Sequence, residues 1–436
     1  MNDVKLQVAL DFLEFPRALA IAKSAVEGGA DYIEAGTPLI KSEGLDAVRK
    51  LRAAFGGKTI IADMKTMDAG RIEAEAAAKA GANVMTVSGT ADMSTILQCV
   101  EAGRHYGCLV AVDLLGVEQP LELAKKLENS GVAWLDVHCP IDAQMQGQDP
   151  LALLKQLRPM TRLVLAVAGG INSESAALAA QAGADVVIVG GAITKAVDPQ
   201  QATRQIRRAI ETRQGVETQL FKRSGLADIR KVLENVRTSN ISDGAHRQPC
   251  LEGIRPLWTG AYACGPAVTV RTMPGDWSKP VQAIDMAKPG DVIVVDAAGQ
   301  PPAIWGELAT ESAQVKGVAG LVVDGAVRDT ADIRRLKFPV WKRQETSHAG
   351  DAKGMGEINV PIVVGGQRVS PGDWIVADDD GVMVLPLAQA VEMANRGADV
   401  LEAENRIRQE IQAGSTLSKV LNLARWDKSG QSPQIG

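Results

Sequence analysis

Apolar positions in the first half of the chain fall into short runs that recur with a regular beat. Four stretches share one pattern: Gly28-Gly29-Ala30-Asp31-Tyr32-Ile33, Ala80-Gly81-Ala82-Asn83-Val84-Met85, Ser130-Gly131-Val132-Ala133-Trp134-Leu135 and Ala182-Gly183-Ala184-Asp185-Val186-Val187. Each reads as a helix end stopped by glycine and followed at once by an apolar strand. They recur roughly every 50 residues, room for two β/α units per repeat. Further apolar runs at Val8–Asp11, Lys58–Asp63, Leu109–Asp113 and Leu163–Ala168 fall between them. Eight short strands alternating with Ala-rich amphipathic helices predict an α/β fold, a (β/α)8 TIM barrel, over residues 1–212. A doubly wound open sheet would need fewer and less regular units.

Beyond the barrel the pattern changes twice. Residues 213–238 are polar and charged, with apolar positions at Leu220, Leu226, Ile229, Val232, Leu233 and Val236. That spacing predicts a helical linker. Over residues 239–396 prolines and glycines are dense and strands short, as in Ala267–Val270, Asp291–Asp296, Gly320–Asp324 and Trp374–Asp378, with a helix at Glu307–Lys316. This predicts a second α/β domain. A long helix starts at Leu387 and runs to about Gln412, and residues 397–436 form a C-terminal helix and tail, loose at Lys428–Gly436.

Composition narrows the class. The 436 residues carry a formal charge of -5, 46% hydrophobic and 23% charged residues, an ordinary water-soluble balance. No apolar run is long enough for a bilayer, and Lys5–Asp11 reaches an acidic residue too early for a secretory leader. Five scattered cysteines, with no CxxC pair, suit a reducing cytoplasm. With aromatics at 3% and a mildly acidic balance, nucleic acid and membrane are not expected partners.

Candidate chemistry gathers at the carboxyl ends of the barrel strands, where such folds place their active sites. Ala62-Asp63-Met64-Lys65-Thr66-Met67-Asp68-Ala69-Gly70 sets a carboxylate and an ammonium two residues apart, on one side of a strand end, and a second carboxylate at a helix mouth. Read blandly, this is an ion pair with Asp68 as helix N-cap. Asp11, Glu34, Asp113 and His138 close other strands. Glu34 and Asp63 end neighbouring strands, so their oxygens could share a divalent cation, Mg²⁺ or Mn²⁺. Gly169-Gly170 and Gly190-Gly191 follow strands seven and eight, where backbone N–H groups and a helix N-terminus make a phosphate cup.

These residues carry a resemblance. Residues 4 to about 210 resemble the 3-hexulose-6-phosphate synthases of the orotidine-5'-monophosphate decarboxylase suprafamily, through Ile33-Glu34-Ala35-Gly36-Thr37-Pro38, Asp63-x-Lys65-x-x-Asp68 and Val189-Gly190-Gly191-Ala192-Ile193-Thr194. The 3-keto-L-gulonate-6-phosphate decarboxylases share the Asp-x-Lys-x-x-Asp pattern but carry an Arg shortly after the His. Here Val137-His138-Cys139-Pro140-Ile141-Asp142-Ala143-Gln144 holds none; Asp142 and Gln144 fit the synthase side, and Cys139-Pro140 departs from both. The resemblance implies aldol addition of formaldehyde to ribulose 5-phosphate, and the reverse, with Mg²⁺ on Glu34 and Asp63. It further implies that Lys65 stabilises an enediolate, His138 acts as base, and Asp68 enters the neighbouring subunit's site. Asp11 and Asp113 are kept as carboxylates in support.

In the second domain the informative residues are Gly306-Glu307-Leu308, opening a helix whose free N–H groups could hold an anion, and Arg328-Asp329. Arg328 offers a planar fork to a carboxylate and Asp329 a hard oxygen to a metal. Residues from about Ile241 to Arg396 resemble the RraA-like family, which includes ribonuclease E regulators and 4-hydroxy-4-methyl-2-oxoglutarate aldolases. The likeness implies that Arg328 binds a pyruvate-like carboxylate and that Asp329 supports the metal. The acid three positions on, Asp332, accompanies the aldolase type, so a 2-oxo-acid aldolase or decarboxylase is expected, with a scaffold or regulator as its rival. Asp378-Asp379-Asp380-Gly381 reads as a turn. Both resemblances imply homo-oligomers, through both domains.

Overall fold

The computed structural model describes residues 3–218 and 221–426. The tail at 428–436 and Leu220 of the linker pattern lie outside these residues. The chain divides into two units. One takes the chain up to Gln144, Gln148–Arg223 and the residues from Glu402 onward; the other holds Met145–Gly147 and Ser224–Leu401.

The first unit is a closed barrel of eight parallel strands in sequence order, as the repeats predict. They are β1 (Lys5–Leu10), β2 (Tyr32–Ala35), β3 (Thr59–Thr66), β4 (Val84–Ser88), β5 (Leu109–Asp113), β6 (Trp134–His138), β7 (Val164–Ala168) and β8 (Val186–Val189). The repeat glycines Gly29, Gly81, Gly131 and Gly183 take φ of 106°, 97°, 92° and 91°. A side chain would be strained there, so the pattern needs glycine at each turn from helix into strand. Strand residues alternate between two cores. Leu6, Val8 and Leu10 of β1, Ile33 of β2, Ile60 of β3 and Leu135 and Val137 of β6 point outward to the helices. Ala9, Ile61, Val84, Ala111, Trp134, Ala166 and Ile188 fill the interior. The same period of two turns the polar residues at the strand ends inward.

In the second unit a mixed sheet runs in the order β19-β18-β10-β11-β13-β14-β9. Its strands are β9 (Arg255–Pro256), β10 (Ala263–Arg271), β11 (Val292–Asp296), β12 (Ala303–Trp305), β13 (Gly320–Val327), β14 (Val340–Glu345), β15 (Glu357–Ile358), β16 (Ile362–Val364), β17 (Gln367–Val369), β18 (Trp374–Ala377) and β19 (Val382–Leu385). β12 and β15 pair with β13 and β10, and β16 pairs only with β17. Asp378–Gly381 is the turn between β18 and β19, as expected, and Asp378 caps the chain at Thr238 through the Thr238 amide and hydroxyl, at 2.8 and 2.7 Å. The expected single linker helix is not formed. Leu226–Asp228 is one 3-10 turn, followed by helices Ile229–Leu233 and Thr238–Gly244, and Ile229, Val232, Leu233 and Val236 bury their apolar face with Trp374 and Leu385. The apolar spacing thus reflects packing onto the second unit's sheet. The C-terminal helix spans Ala390–Gln412, so the expected break near 396 falls inside one helix.

Candidate active site

One cavity of about 510 Å³ opens at the carboxyl ends of the barrel strands. Its walls bring together Asp11, Glu34, Asp63, Lys65, His138, Gly169, Gly170, Gly190 and Gly191, nine of the residues singled out from sequence. Asp113, Asp136, Thr37, Gln144, Thr194 and Lys195 add further polar lining.

Lys65 is the hub. Its ammonium lies 3.0 and 2.9 Å from the two oxygens of Asp63 and 2.8 Å from Asp113 Oδ2. The Asp63–Lys65 pairing expected from strand alternation is present, on an irregular stretch of strand. Ala62 faces Met85 on β4 while Thr66 faces Val87, so β3 bulges between them. Lys65 itself sits at φ 45°, an uncommon conformation for a residue with a side chain. Its amide donates to Thr86 Oγ1 at 3.0 Å, which anchors the bulge. Burial works against the charge on Lys65, but Asp63 and then Asp113 outweigh it and hold the amine protonated well beyond the ordinary lysine range.

Asp113 links Lys65 to the histidine. Its Oδ2 also lies 3.0 Å from His138 Nδ1, and its Oδ1 accepts the Leu115 amide at 2.8 Å. Burial alone would raise this carboxyl, yet hydrogen bonding and charge from His138, then Lys65, carry it well below the usual aspartate value. With Nδ1 turned to a carboxylate, neutral His138 keeps its proton on Nδ1 and presents Nε2 as an acceptor. Among the described residues Nε2 has no protein partner.

Glu34 and Asp11 carry the opposite shift. Glu34 is buried and accepts Gln7 Nε2 at 2.6 Å; burial, then Asp63 and Asp11, push its carboxyl up. Asp11 is open to the cavity but walled closely enough that desolvation, then Asp63, raises it too. Hard oxygens crowded until they resist ionisation are a donor set suited to a divalent cation. Asp63 beside them is the most hydrogen-bonded carboxylate of the cavity: besides Lys65 it accepts Thr86 Oγ1 at 2.8 Å and Thr37 Oγ1 at 2.6 Å. A cation bound there would replace one of those donors, while Asp11 has no side-chain partner among the described residues.

Sequence reasoning missed Asp136. It lies on β6 opposite Asp113, buried, with Oδ1 unpartnered. Desolvation, then Asp113, raises its carboxyl well above the ordinary value. The alternation Trp134-Leu135-Asp136-Val137-His138 puts Asp136 and His138 on one face, a signal that could have found it.

The geometry changes two readings, Asp68 as a helix N-cap and the helix after Gly190, and explains Cys139. Asp68 is exposed and does not line the cavity; its Oδ1 accepts the adjacent Ala69 amide at 2.6 Å, and Ala69, not Asp68, holds the N-cap position of helix Gly70–Lys79. The helix after Gly190 is a single turn, Gly191–Thr194, so little helix dipole reaches the diglycine there. Cys139 is buried, its thiol pushed up to about 11 by burial. It lies under Gly169, where a Cβ would meet its carbonyl oxygen at 2.4 Å, so the departure at Cys139-Pro140 packs a turn beside the first diglycine.

In the second unit Gly306 and Glu307 meet Arg328 and Asp329, while the Leu308 side chain is exposed. Arg328 Nε lies 3.4 Å from Asp329 Oδ2, both side chains exposed. The Glu307 amide, expected to face a ligand, donates to Asp329 Oδ2 at 3.1 Å. Asp332 pairs with Arg335 at 2.8 Å.

Comparison with known proteins agrees with both halves. Residues 4–206 match the family model "Orotidine 5'-phosphate decarboxylase / HUMPS family", and residues 238–384 match the RraA-like model, "Aldolase/RraA". Over 207 residues the chain is 40% identical to the 3-hexulose-6-phosphate synthase of Mycobacterium gastri, covering 48% of this chain and 100% of the relative. Among solved structures, 3-hexulose-6-phosphate synthase from Salmonella typhimurium is 37% identical over 48% of this chain and 100% of its own, with a TM-score of 0.47. The RNA-processing inhibitor RraA from Thermus thermophilis is 31% identical over 35% of this chain and 93% of its own, at a TM-score of 0.33. The chain belongs to the orotidine 5'-phosphate decarboxylase/HUMPS family, and carries an RraA-like domain C-terminal to the barrel in sequence.

Proposed function

We propose that the barrel is a 3-hexulose-6-phosphate synthase, an aldehyde-lyase that joins formaldehyde to ribulose 5-phosphate. The observation that carries this reading is the continuous chain Asp63–Lys65–Asp113–His138 in a cavity shared with both diglycine turns. His138 Nε2 takes a proton from C1 of the ketose, and Asp113 balances the imidazolium that forms. Lys65 holds its ammonium toward the oxygens on which negative charge develops. The C1 carbanion then adds to the carbon of formaldehyde, and the new alkoxide is protonated to give a 3-hexulose 6-phosphate. The phosphate lies at Gly169-Gly170 and Gly190-Gly191. Glu34 and Asp63 would hold Mg²⁺ or Mn²⁺, which supplies positive charge to the substrate's carbonyl and hydroxyl oxygens. Chelation with EDTA is expected to abolish formaldehyde-dependent loss of ribulose 5-phosphate, and Mg²⁺ to restore it. Full activity in EDTA would remove the metal from the reading.

Exposed Met67 and Ile72, at 55% and 70%, flank Asp68 and suit a second copy of the chain, to whose cavity Asp68 would be delivered. Five free thiols, four of them buried, suit a reducing cytoplasm.

For the RraA-like domain we infer a 2-oxo-acid aldolase or decarboxylase, with Arg328 receiving the carboxylate and Asp329 supporting a divalent cation. Full-length protein with Mg²⁺ is expected to consume oxaloacetate, and Arg328→Ala to lose at least about tenfold of that rate without touching the barrel reaction. Equal oxaloacetate turnover in Arg328→Ala would leave the domain as a scaffold or regulator.

A further inference from the structure

The cavity has a wall that the barrel itself does not supply. Phe221 lies beyond the family-matched residues 4–206, yet it lines the cavity. Its ring rests on the second diglycine turn so closely that a Cβ on Gly191 would fall 2.1 Å from Cε2. Lys195, also in the lining, sets its ammonium 5.4 Å from the centre of that ring.

Phe221 is clamped from a remote part of the chain. Its amide donates to Glu402 Oε1 at 2.8 Å. Arg223 reaches Glu402 Oε2 at 2.9 Å and also stacks its guanidinium 4.2 Å from the Phe221 ring centre. Arg223 and Glu402 are almost closed to solvent, with side chains 6% and 14% exposed. All these residues belong to the first unit. A bidentate-capable guanidinium, a carboxylate accepting from backbone and side chain, and an aromatic ring approached by two cations make a rigid support. Lys65 and Lys195 are the two lysines of the lining. Lys195 follows the second diglycine turn and its amide donates to the Gly191 carbonyl at 3.0 Å, so its charge belongs to that end of the cavity.

We propose that Phe221, clamped by Glu402 and Arg223, is a positioning residue that sets Lys195 against the second diglycine turn, so that sugar-phosphate affinity depends on the chain's C-terminal segment. The proposal rests on the reading above that a phosphate occupies this end. Removing the clamp takes the ring away from Lys195 and opens the anion's wall, leaving Lys65, Asp113 and His138 in place. The expected signature is a change in phosphate binding and not in the chemical step.

The test uses full-length wild type, Phe221→Ala, Phe221→Tyr and Glu402→Gln, with thermal midpoints measured for each. Calorimetric binding of ribulose 5-phosphate and competition by inorganic phosphate are read beside steady-state kinetics. Phe221→Ala and Glu402→Gln are expected to weaken ribulose 5-phosphate and inorganic phosphate together by about tenfold. The kcat and the KM for formaldehyde should stay within about threefold, and Phe221→Tyr should recover wild-type binding. Unchanged sugar-phosphate binding in a folded Glu402→Gln protein overturns the proposal, as does a loss confined to kcat. If wild type binds ribulose 5-phosphate but does not turn it over with formaldehyde, the reaction assignment fails while the binding arm still decides the role of Phe221. If wild type binds neither ribulose 5-phosphate nor inorganic phosphate, both fall.

Discussion

Lys65→Ala is expected to lower formaldehyde-dependent consumption of ribulose 5-phosphate by about 10³-fold or more, about 4 kcal/mol of barrier. The ammonium is the cation that the fold itself aims into the cavity between Asp63 and Asp113. Without it, two carboxylates face a reacting centre that must also gain negative charge. The loss should fall on kcat, because the charge develops only as the proton leaves C1. Stability should fall as well, since Asp113 is buried and loses one of its two compensating groups. Circular dichroism and a thermal midpoint separate the two effects: a folded protein with kcat within tenfold of wild type would remove Lys65 from the chemistry.

Asp113→Asn should be nearly as severe, about 10²- to 10⁴-fold in kcat. The oxygen that accepts from His138 Nδ1 becomes one end of an amide that can present N–H instead. Imidazole can then carry its proton on Nε2, the nitrogen meant to act as base. Asp113→Glu keeps the carboxylate and should retain more activity than Asp113→Asn, although the longer side chain must repack. Stability carries its own pH signature. Because the Asp113 carboxyl is lowered in the folded state, its contribution is present in full well above the ordinary value of 3.8 and is lost as pH falls through the folded value. Asp113→Asn should therefore be less stable than wild type at pH 7, with the gap closing as the pH drops below about 4. An equal gap at pH 7 and in acid would contradict the assigned ionisation.

The architecture was legible because its signals are local. Gly29, Gly81, Gly131 and Gly183 each mark a left-handed turn into a strand, and strand alternation sends Glu34, Asp63, Asp113 and His138 inward without knowledge of the rest of the fold. The resemblance then supplied roles for these positions. What could not be read depends on irregular backbone or on distance along the chain. Asp63 and Lys65 meet as their spacing predicts, but the bulge that carries Lys65, and its reach to Asp113, has no mark in a period of two. The partners Thr37 and Thr86 are ordinary threonines until β2, β3 and β4 are side by side. Glu402 is 181 residues from Phe221, and no spacing rule connects them. The linker periodicity was real, but it recorded a face packed against β18 and β19, not one continuous helix. At Glu307 the helix-start amide is taken by Asp329, a competition visible only once the two loops meet.

The central claim is that one carbon is added to a ketose phosphate in the barrel cavity. Incubating the full-length protein with Mg²⁺, ribulose 5-phosphate and ¹³C-formaldehyde, and following the label by NMR, tests it most directly. The account predicts that the label moves into the terminal hydroxymethyl carbon of a hexulose phosphate, and that this signal is lost with Lys65→Ala. Label that stays in formaldehyde hydrate, while the same protein releases carbon dioxide from 3-keto-L-gulonate 6-phosphate, would contradict it.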